Sequence, residues 1–252
     1  KSQFLLPHQH SKIGPPIAVG DVNGDGWEDF YIGGAAGFSG TFFLQNEGAT
    51  FTQQSLNQDI ESEDTDCLLF DADGDGDLDL YVVSGGVVYT SKTEIYQDRL
   101  YFNEGGVFTK NENALPSIPS SGGSVAAEDF DGDGDLDVFV GGRVVPKEYP
   151  TLPKSYLLEN HNGRFRDITP KSLSKIGMVT TAIWTDYDQD GDKDLMLAGE
   201  FMPIVVLENK EGQLSSHPSP ITNDSNGWWN CIKSFDFDDD GDMDCSVHRD
   251  LI

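Results

Sequence analysis

Short apolar runs recur along the chain in pairs, and each pair brackets an acidic segment. The leading runs are Ile17–Val19, Cys67–Phe70, Val125–Ala127, Thr181–Trp184 and Cys231–Phe235. The trailing runs are Phe30–Ile32, Leu80–Val83, Val138–Val140, Leu195–Leu197 and a degraded Cys245–Val247. Each is strand-length, so the segment between reads as a hairpin connection. A third apolar stretch then enters an Asn-and-Gly turn, as in TFFLQNEG, RLYFNEGG, SYLLENHNG and IVVLENKEG. The turns at Asn46–Gly48 and Asn103–Gly105 carry residues that accept positive φ. A fourth strand is expected to begin at Phe51, Phe108, Phe165 and Leu214. Four antiparallel strands per roughly 50 residues, repeated, predict an all-β chain built as a β-propeller of four-stranded blades.

The acidic segments sharpen that reading. They run DVNGDGWED from Asp21, DADGDGDLD from Asp71, DFDGDGDLD from Asp129, DYDQDGDKD from Asp186 and DFDDDGDMD from Asp236. Their starts lie 50, 58, 57 and 50 residues apart. Oxygen-bearing side chains fall at positions one, three, five and nine, and position six is always glycine. A tightly curled, all-oxygen loop suits a hard cation that takes six to eight oxygens, which points to Ca2+ in up to five sites. The side-chain ligands expected are Asp21, Asn23, Asp25 and Asp29; Asp71, Asp73, Asp75 and Asp79; Asp129, Asp131, Asp133 and Asp137; Asp186, Asp188, Asp190 and Asp194; and Asp236, Asp238, Asp240 and Asp244. An EF-hand requires a bidentate glutamate at loop position twelve. Here that position holds Ile32, Val82, Val140, Leu197 and Val247. No helical period follows the loops, as a dockerin-like pair would need. Thrombospondin-type repeats would be more tightly spaced and rich in cysteine.

Composition changes the picture in two places. The 252 residues carry a formal charge of −28, but 25 of the 44 acids sit in the five loops. Much of the acidity is therefore cation cage, and it excludes the basic surface that nucleic-acid binding needs. No apolar run is long enough to span a bilayer. The chain starts at Lys1 without a signal peptide, so the expectation is a mature protein or a piece of a longer one. Loops of this type suit affinities of roughly 10⁻⁴–10⁻³ M, which fill outside cells, so a secreted or cell-surface location is expected. The three cysteines are read as free thiols, with Cys67 and Cys245 as small core residues.

The loops, strand order and Asn-x-Gly turn together resemble FG-GAP/VCBS repeats, the calcium-binding blades of integrin α-subunit propellers and of many secreted bacterial proteins. The resemblance covers essentially the whole chain. GGRVVP at Gly141–Pro146, GEFMP at Gly199–Pro203 and GWWN at Gly227–Asn230 are similar to bacterial VCBS proteins related to cartilage acidic protein. It implies a structural Ca2+ in each loop and a further backbone-carbonyl ligand from position seven: Trp27, Asp77, Asp135, Asp192 and Asp242. Asn23 removes a charge from the first loop. Gln189 and Asp239 stand where a glycine is usual, which predicts strain in the last two loops. The fifth repeat has only two of its strands, so a larger propeller, or a ring closed thinly with help from Phe4–Leu6, is expected.

With calcium as scaffold, function falls to the variable loops. Arg143, Tyr149, Glu200, Phe201, Trp228 and Trp229 are the candidate surface for a glycan or an extracellular protein ligand, since aromatics beside an arginine and a carboxylate suit sugar rings or partner anchors. The competing reading places Trp228 and Trp229 between blades and has Arg143 bridging loops. Catalytic signatures are lacking: His8 and His10 have no third ligand nearby, and neither His161 nor His217 suggests a base. The expectation is a binding or adhesion module. The alternative, implied by resemblance, is the propeller part of a secreted polysaccharide-degrading enzyme.

Overall fold

The computed structural model describes residues 14–87, 94–216, 225–241 and 243–249. Blade 1 comprises β1 (Ile17–Gly20), β2 (Asp29–Ile32), β3 (Thr41–Asn46) and β4 (Thr50–Ser55). Blade 2 comprises β5 (Glu63–Phe70), β6 (Asp79–Gly85), β7 (Arg99–Glu104) and β8 (Val107–Lys110). Blade 3 comprises β9 (Gly122–Glu128), β10 (Asp137–Gly142), β11 (Tyr156–His161) and β12 (Arg164–Asp167). Blade 4 comprises β13 (Met178–Thr185), β14 (Asp194–Met202), β15 (Val205–Lys210) and β16 (Gln213–Ser216). A last hairpin, β17 (Gly227–Phe235) and β18 (Asp244–Arg249), begins the fifth. Within each blade the strands pair antiparallel in chain order. The fold is the β-propeller that the strand pattern predicts, with the acidic loop joining the first two strands of every blade. The segment Phe4–Leu6 lies outside the described residues.

The second strand of each complete blade is the apolar one, because it is covered on both sides. β6 and β10 are buried along their whole length. Their residues feed cores that lie between blades. Tyr31, Phe42 and Cys67 meet Leu80, Val82 and Tyr101 between blades 1 and 2. Phe70, Tyr81 and Leu100 meet Val138, Leu158 and Phe165 between blades 2 and 3. Phe139 and Leu157 meet Leu195, Leu197 and Leu207 between blades 3 and 4. A smaller cluster of Met196, Ile204, Val206 and Ile232 joins blade 4 to the last hairpin. Blades 2, 3 and 4 are thus each half of two cores, and the first strands of successive blades stand side by side.

One departure from the sequence reading follows from position. Cys245 was expected to be a core residue but is exposed, because β18 borders β17 alone. Cys231 and Cys245 are not cross-strand partners: Cys231 faces His248 and Cys245 faces Ser234. All three cysteines are free thiols. At the other end of the sheets, β14 runs past its neighbours to Met202. There it pairs with β17, setting Glu200 opposite Trp228 and Met202 opposite Gly227. That extension builds one of the two sites below. Among the described residues no helix is long and apolar enough to cross a membrane.

Candidate functional site

The acidic loops lie at one end of the blades. In four of them the carboxylates at positions one, three and nine converge: Asp71, Asp73 and Asp79; Asp129, Asp131 and Asp137; Asp186, Asp188 and Asp194; Asp236, Asp238 and Asp244. Within each triad the nearest oxygens lie within 4.8 Å of one another. The first loop curls in the same way, with Asn23 as the neutral third residue. Asp21 accepts the Asp25 and Gly26 N–H groups, and Asn23 accepts that of Asp25. The ninth residue anchors each complete loop. One oxygen of Asp79 takes Ala72 N–H at 2.9 Å and the other takes Asn103 N–H on β7 at 2.8 Å. Asp29 and Asp194 repeat both contacts, and Asp137 repeats the second, to Asn160.

The glycine at position six holds φ of 87°, 95°, 97°, 100° and 91° in the five loops, a region that side chains avoid. Position four is also left-handed. Gln189 and Asp239 sit there at 61° and 59°, so the strain expected of the last two loops is present.

These sites fit a hard cation by two observations. The donors are oxygens alone, and three buried oxygens, Asp73 Oδ1, Asp137 Oδ2 and Asp186 Oδ1, have no hydrogen-bond partner. A buried unpartnered carboxylate oxygen is costly unless something positive meets it. Acid crowding registers in the ionisation. Burial first, then neighbouring aspartates, push Asp79 up to about 6 and Asp137 up to about 7. Asp29, Asp73, Asp131, Asp188 and Asp194 are raised by the same causes.

The position-five carboxylates stand outside the triads and use one oxygen to cap the position-seven N–H, as Asp75 does for Asp77 at 2.9 Å. Asp25, Asp133 and Asp190 do the same for Trp27, Asp135 and Asp192. Asp133 also groups with Asp135 and His161. The position-seven side chains have a role that the sequence reading missed. Asp77, Asp135 and Asp192 accept the N–H of Gly105, Asn162 and Glu211, tying each loop to the distal turn of its own blade. Asp242 lies outside the described residues. The turn asparagines reach further: Nδ2 of Asn103, Asn160 and Asn209 donates to the position-two carbonyls of the preceding blade, Val22, Ala72 and Phe130, at 2.7, 2.8 and 2.6 Å.

At the opposite end of the sheets, two buried ion pairs join side chains that are far apart in sequence. Arg99 Nη2 meets Asp64 Oδ1 at 2.5 Å. Asp64 also accepts the Tyr31 hydroxyl at 3.0 Å and Gly34 N–H at 2.6 Å, and Arg99 Nε donates to Ser84. Arg143 Nη2 meets Glu200 Oε1, also at 2.5 Å, across blades 3 and 4. Both residues stand six positions after the ninth aspartate of their loops, in matching register on adjacent blades. Gly123 makes room for the arginine: a Cβ there would come within 2.7 Å of the Arg143 stem.

The candidate surface thus gathers unevenly. Arg143, Tyr149, Glu200, Phe201 and Trp228 come together. Phe201 lies 4.9 Å from Trp228 and 6.4 Å from Tyr149 by ring centroids. Trp228 is buried. Trp229 turns away, donating its indole N–H to Ser225 at 2.8 Å and joining the core beside Ile232. Phe201 is the exposed ring, 57% accessible, on a backbone of φ 53°.

Comparison with known proteins agrees with this architecture. The family model for the FG-GAP-like repeat matches residues 21–82, 71–140 and 186–247. Among solved structures, a lectin of Agrocybe aegerita that recognises non-reducing terminal N-acetylglucosamine aligns with a TM-score of 0.52 and 19% identity. The alignment covers 82% of this chain, which spans 52% of that lectin's length. No curated protein matches the chain.

Proposed function

Since the chain belongs to the FG-GAP-like repeat family, matched over more than half its length, we propose that it is an extracellular, calcium-loaded binding or adhesion module for glycan or protein ligands. All five acidic loops are read as one propeller's Ca2+ sites, and the ion is structural. The observation that carries this reading is the set of converging triads with buried, unpartnered oxygens. In each loop the side chains at positions one, three, five and nine would hold the ion, with the position-seven carbonyl as the further ligand the resemblance implies. Calcium would neutralise carboxylates that otherwise repel one another and resist ionising. The scaffold being fixed at that end, the loops at the other end are left for recognition. The lectin neighbour supports a glycan as the ligand class.

Thermal unfolding in millimolar calcium and in EGTA tests the structural part. At ten- to hundredfold saturation each site contributes about 1.4–2.7 kcal/mol, so chelation lowers Tm sharply. An unchanged Tm would rule out structural calcium. A glycan array run in the same two buffers tests the binding part, and a calcium-dependent hit on one sugar class is the expected result. Shortening of an acidic polysaccharide by the protein would instead favour membership of a degrading enzyme.

A further inference from the structure

We infer that the junction of blades 3 and 4, at Arg143, Glu200, Tyr149 and Phe201, is a saccharide subsite that binds two neighbouring hydroxyls of one sugar ring. This rests on the reading of the chain as a binding module and specifies where and how it binds. At this junction Arg143 Nη1 and Glu200 Oε2 are buried without a close hydrogen-bond partner, and the buried Tyr149 hydroxyl faces the Glu200 carboxylate. Glu200 is 1% exposed and Arg143 7%, so water reaches neither freely. The pair already satisfies itself through Nη2 and Oε1. What it still offers is one charge-assisted donor and one charged acceptor, side by side.

The chemistry selects among ligands. An anion would meet Glu200, and a cation would meet Arg143, so neither gains from a neutral pair. A hydroxyl group both donates and accepts. Two adjacent hydroxyls would take the Nη1 proton and give one to Oε2 without introducing charge. The Tyr149 phenol is raised by burial, then by the Glu200 charge and its hydrogen bond to that carboxylate, so it stays protonated and is a third neutral group that a sugar hydroxyl can engage. The exposed Phe201 ring offers an apolar face next to these polar atoms, which suits the C–H face of a pyranose. Tyr149 follows β10 on the connecting loop and Phe201 sits near the end of β14 in a left-handed conformation. Parting of the Tyr149–Phe201 contact would open the way to the buried atoms.

The test is titration of the folded, calcium-loaded protein with the methyl glycosides of glucose, mannose, galactose and N-acetylglucosamine. Tryptophan fluorescence reads the site, since Trp228 adjoins Phe201. Alongside wild type, Tyr149→Phe, Phe201→Ala and Glu200→Gln are titrated, with Tm recorded for each. At least one glycoside is expected to bind. Tyr149→Phe and Phe201→Ala each weaken it by about tenfold or more at unchanged Tm, and Glu200→Gln abolishes it. If a glycoside binds and the first two variants bind it within about twofold of wild type, the subsite is overturned, a water molecule suffices for these atoms, and the binding-module reading stands. If none of the four binds, the subsite falls; a glycan array blank in the same buffer would then bring down the glycan reading with it.

Discussion

Arg99–Asp64 and Arg143–Glu200 are both buried ion pairs at 2.5 Å, on the same end of neighbouring blades, yet they are built to different degrees of completeness. Around Asp64 a hydroxyl, a backbone N–H and the guanidinium fill both oxygens, and Tyr31 and Gly34 bring them from the adjoining blade. Around Glu200 one oxygen is used and the other is left buried and bare, as is one nitrogen of its arginine. Burial is therefore not what separates a structural pair from a candidate site. Satisfaction is: a closed network fixes a blade interface, while a half-satisfied one carries a standing penalty that a ligand can remove.

Exchanging each pair for apolar residues should separate the two most widely. In Arg99→Met/Asp64→Leu the Tyr31 hydroxyl and Gly34 N–H lose their acceptor, at about 1–3 kcal/mol apiece. Urea unfolding should show that loss. The matching Arg143→Met/Glu200→Leu exchange strands only the Tyr149 hydroxyl, which has no close bond to Glu200, and should be neutral or stabilising by about 1–4 kcal/mol. Equal losses at the two junctions would erase the distinction.

A pH titration should sharpen it next, because raised carboxyls lie beside the closed pair as well as in the acidic loops. Burial pushes Asp98 up to about 7 and Asp66 to about 6, both in blade 2. Their folded values lie above the ordinary value of 3.8, so the folded state holds their protons more tightly. In EGTA, stability should then fall as pH rises from about 4 to 7, by on the order of 1–3 kcal/mol. With calcium present the sign reverses below about pH 7, because protons on Asp79 and Asp137 compete with the ion. Melting curves at pH 5.5 and 7.5 in each buffer check both slopes.

The smallest contrast is between two hydroxyls. Tyr31→Phe removes one bond from Asp64 and should lower stability by about 1 kcal/mol. Tyr149→Phe removes a hydroxyl that makes no close hydrogen bond and only faces Glu200, and should change stability by less than about 0.5 kcal/mol. Parallel urea midpoints decide.

Much of this molecule was readable from its residues, and the boundary is physical. Blades and acidic loops were legible because their rules are local: alternating apolar runs, oxygens at odd loop positions, glycine where φ must be positive. The triads at positions one, three and nine follow from that spacing. That Asp25, Asp75, Asp133 and Asp190 also cap a turn did not show, since an Asx-type bond and a metal ligand require the same residue. The ion pairs escaped because they are long-range. Asp64 and Arg99 lie 35 residues apart, and Arg143 and Glu200 lie 57 apart. The second pair did leave a trace in its shared register after the ninth aspartate. Arg143 and Tyr149 were named as surface candidates, but that Phe201 rather than Trp229 would be the exposed ring depends on how β14 overruns to meet β17.

The turn asparagines add a consequence for how the propeller responds to its ions. Nδ2 of Asn103 bridges Val22 O in one loop and Leu78 O in the next, and Asn160 and Asn209 bridge successive loops in the same way. Among the described residues these bridges link the first four loops, so on the calcium reading none of those four would be an independent receptor. Occupancy of one would stiffen a carbonyl that its neighbour leans on, and loading would then be a nearest-neighbour process in which order spreads blade by blade. A single neutral ligand such as Asn23 would weaken its own loop most and the adjoining loop next.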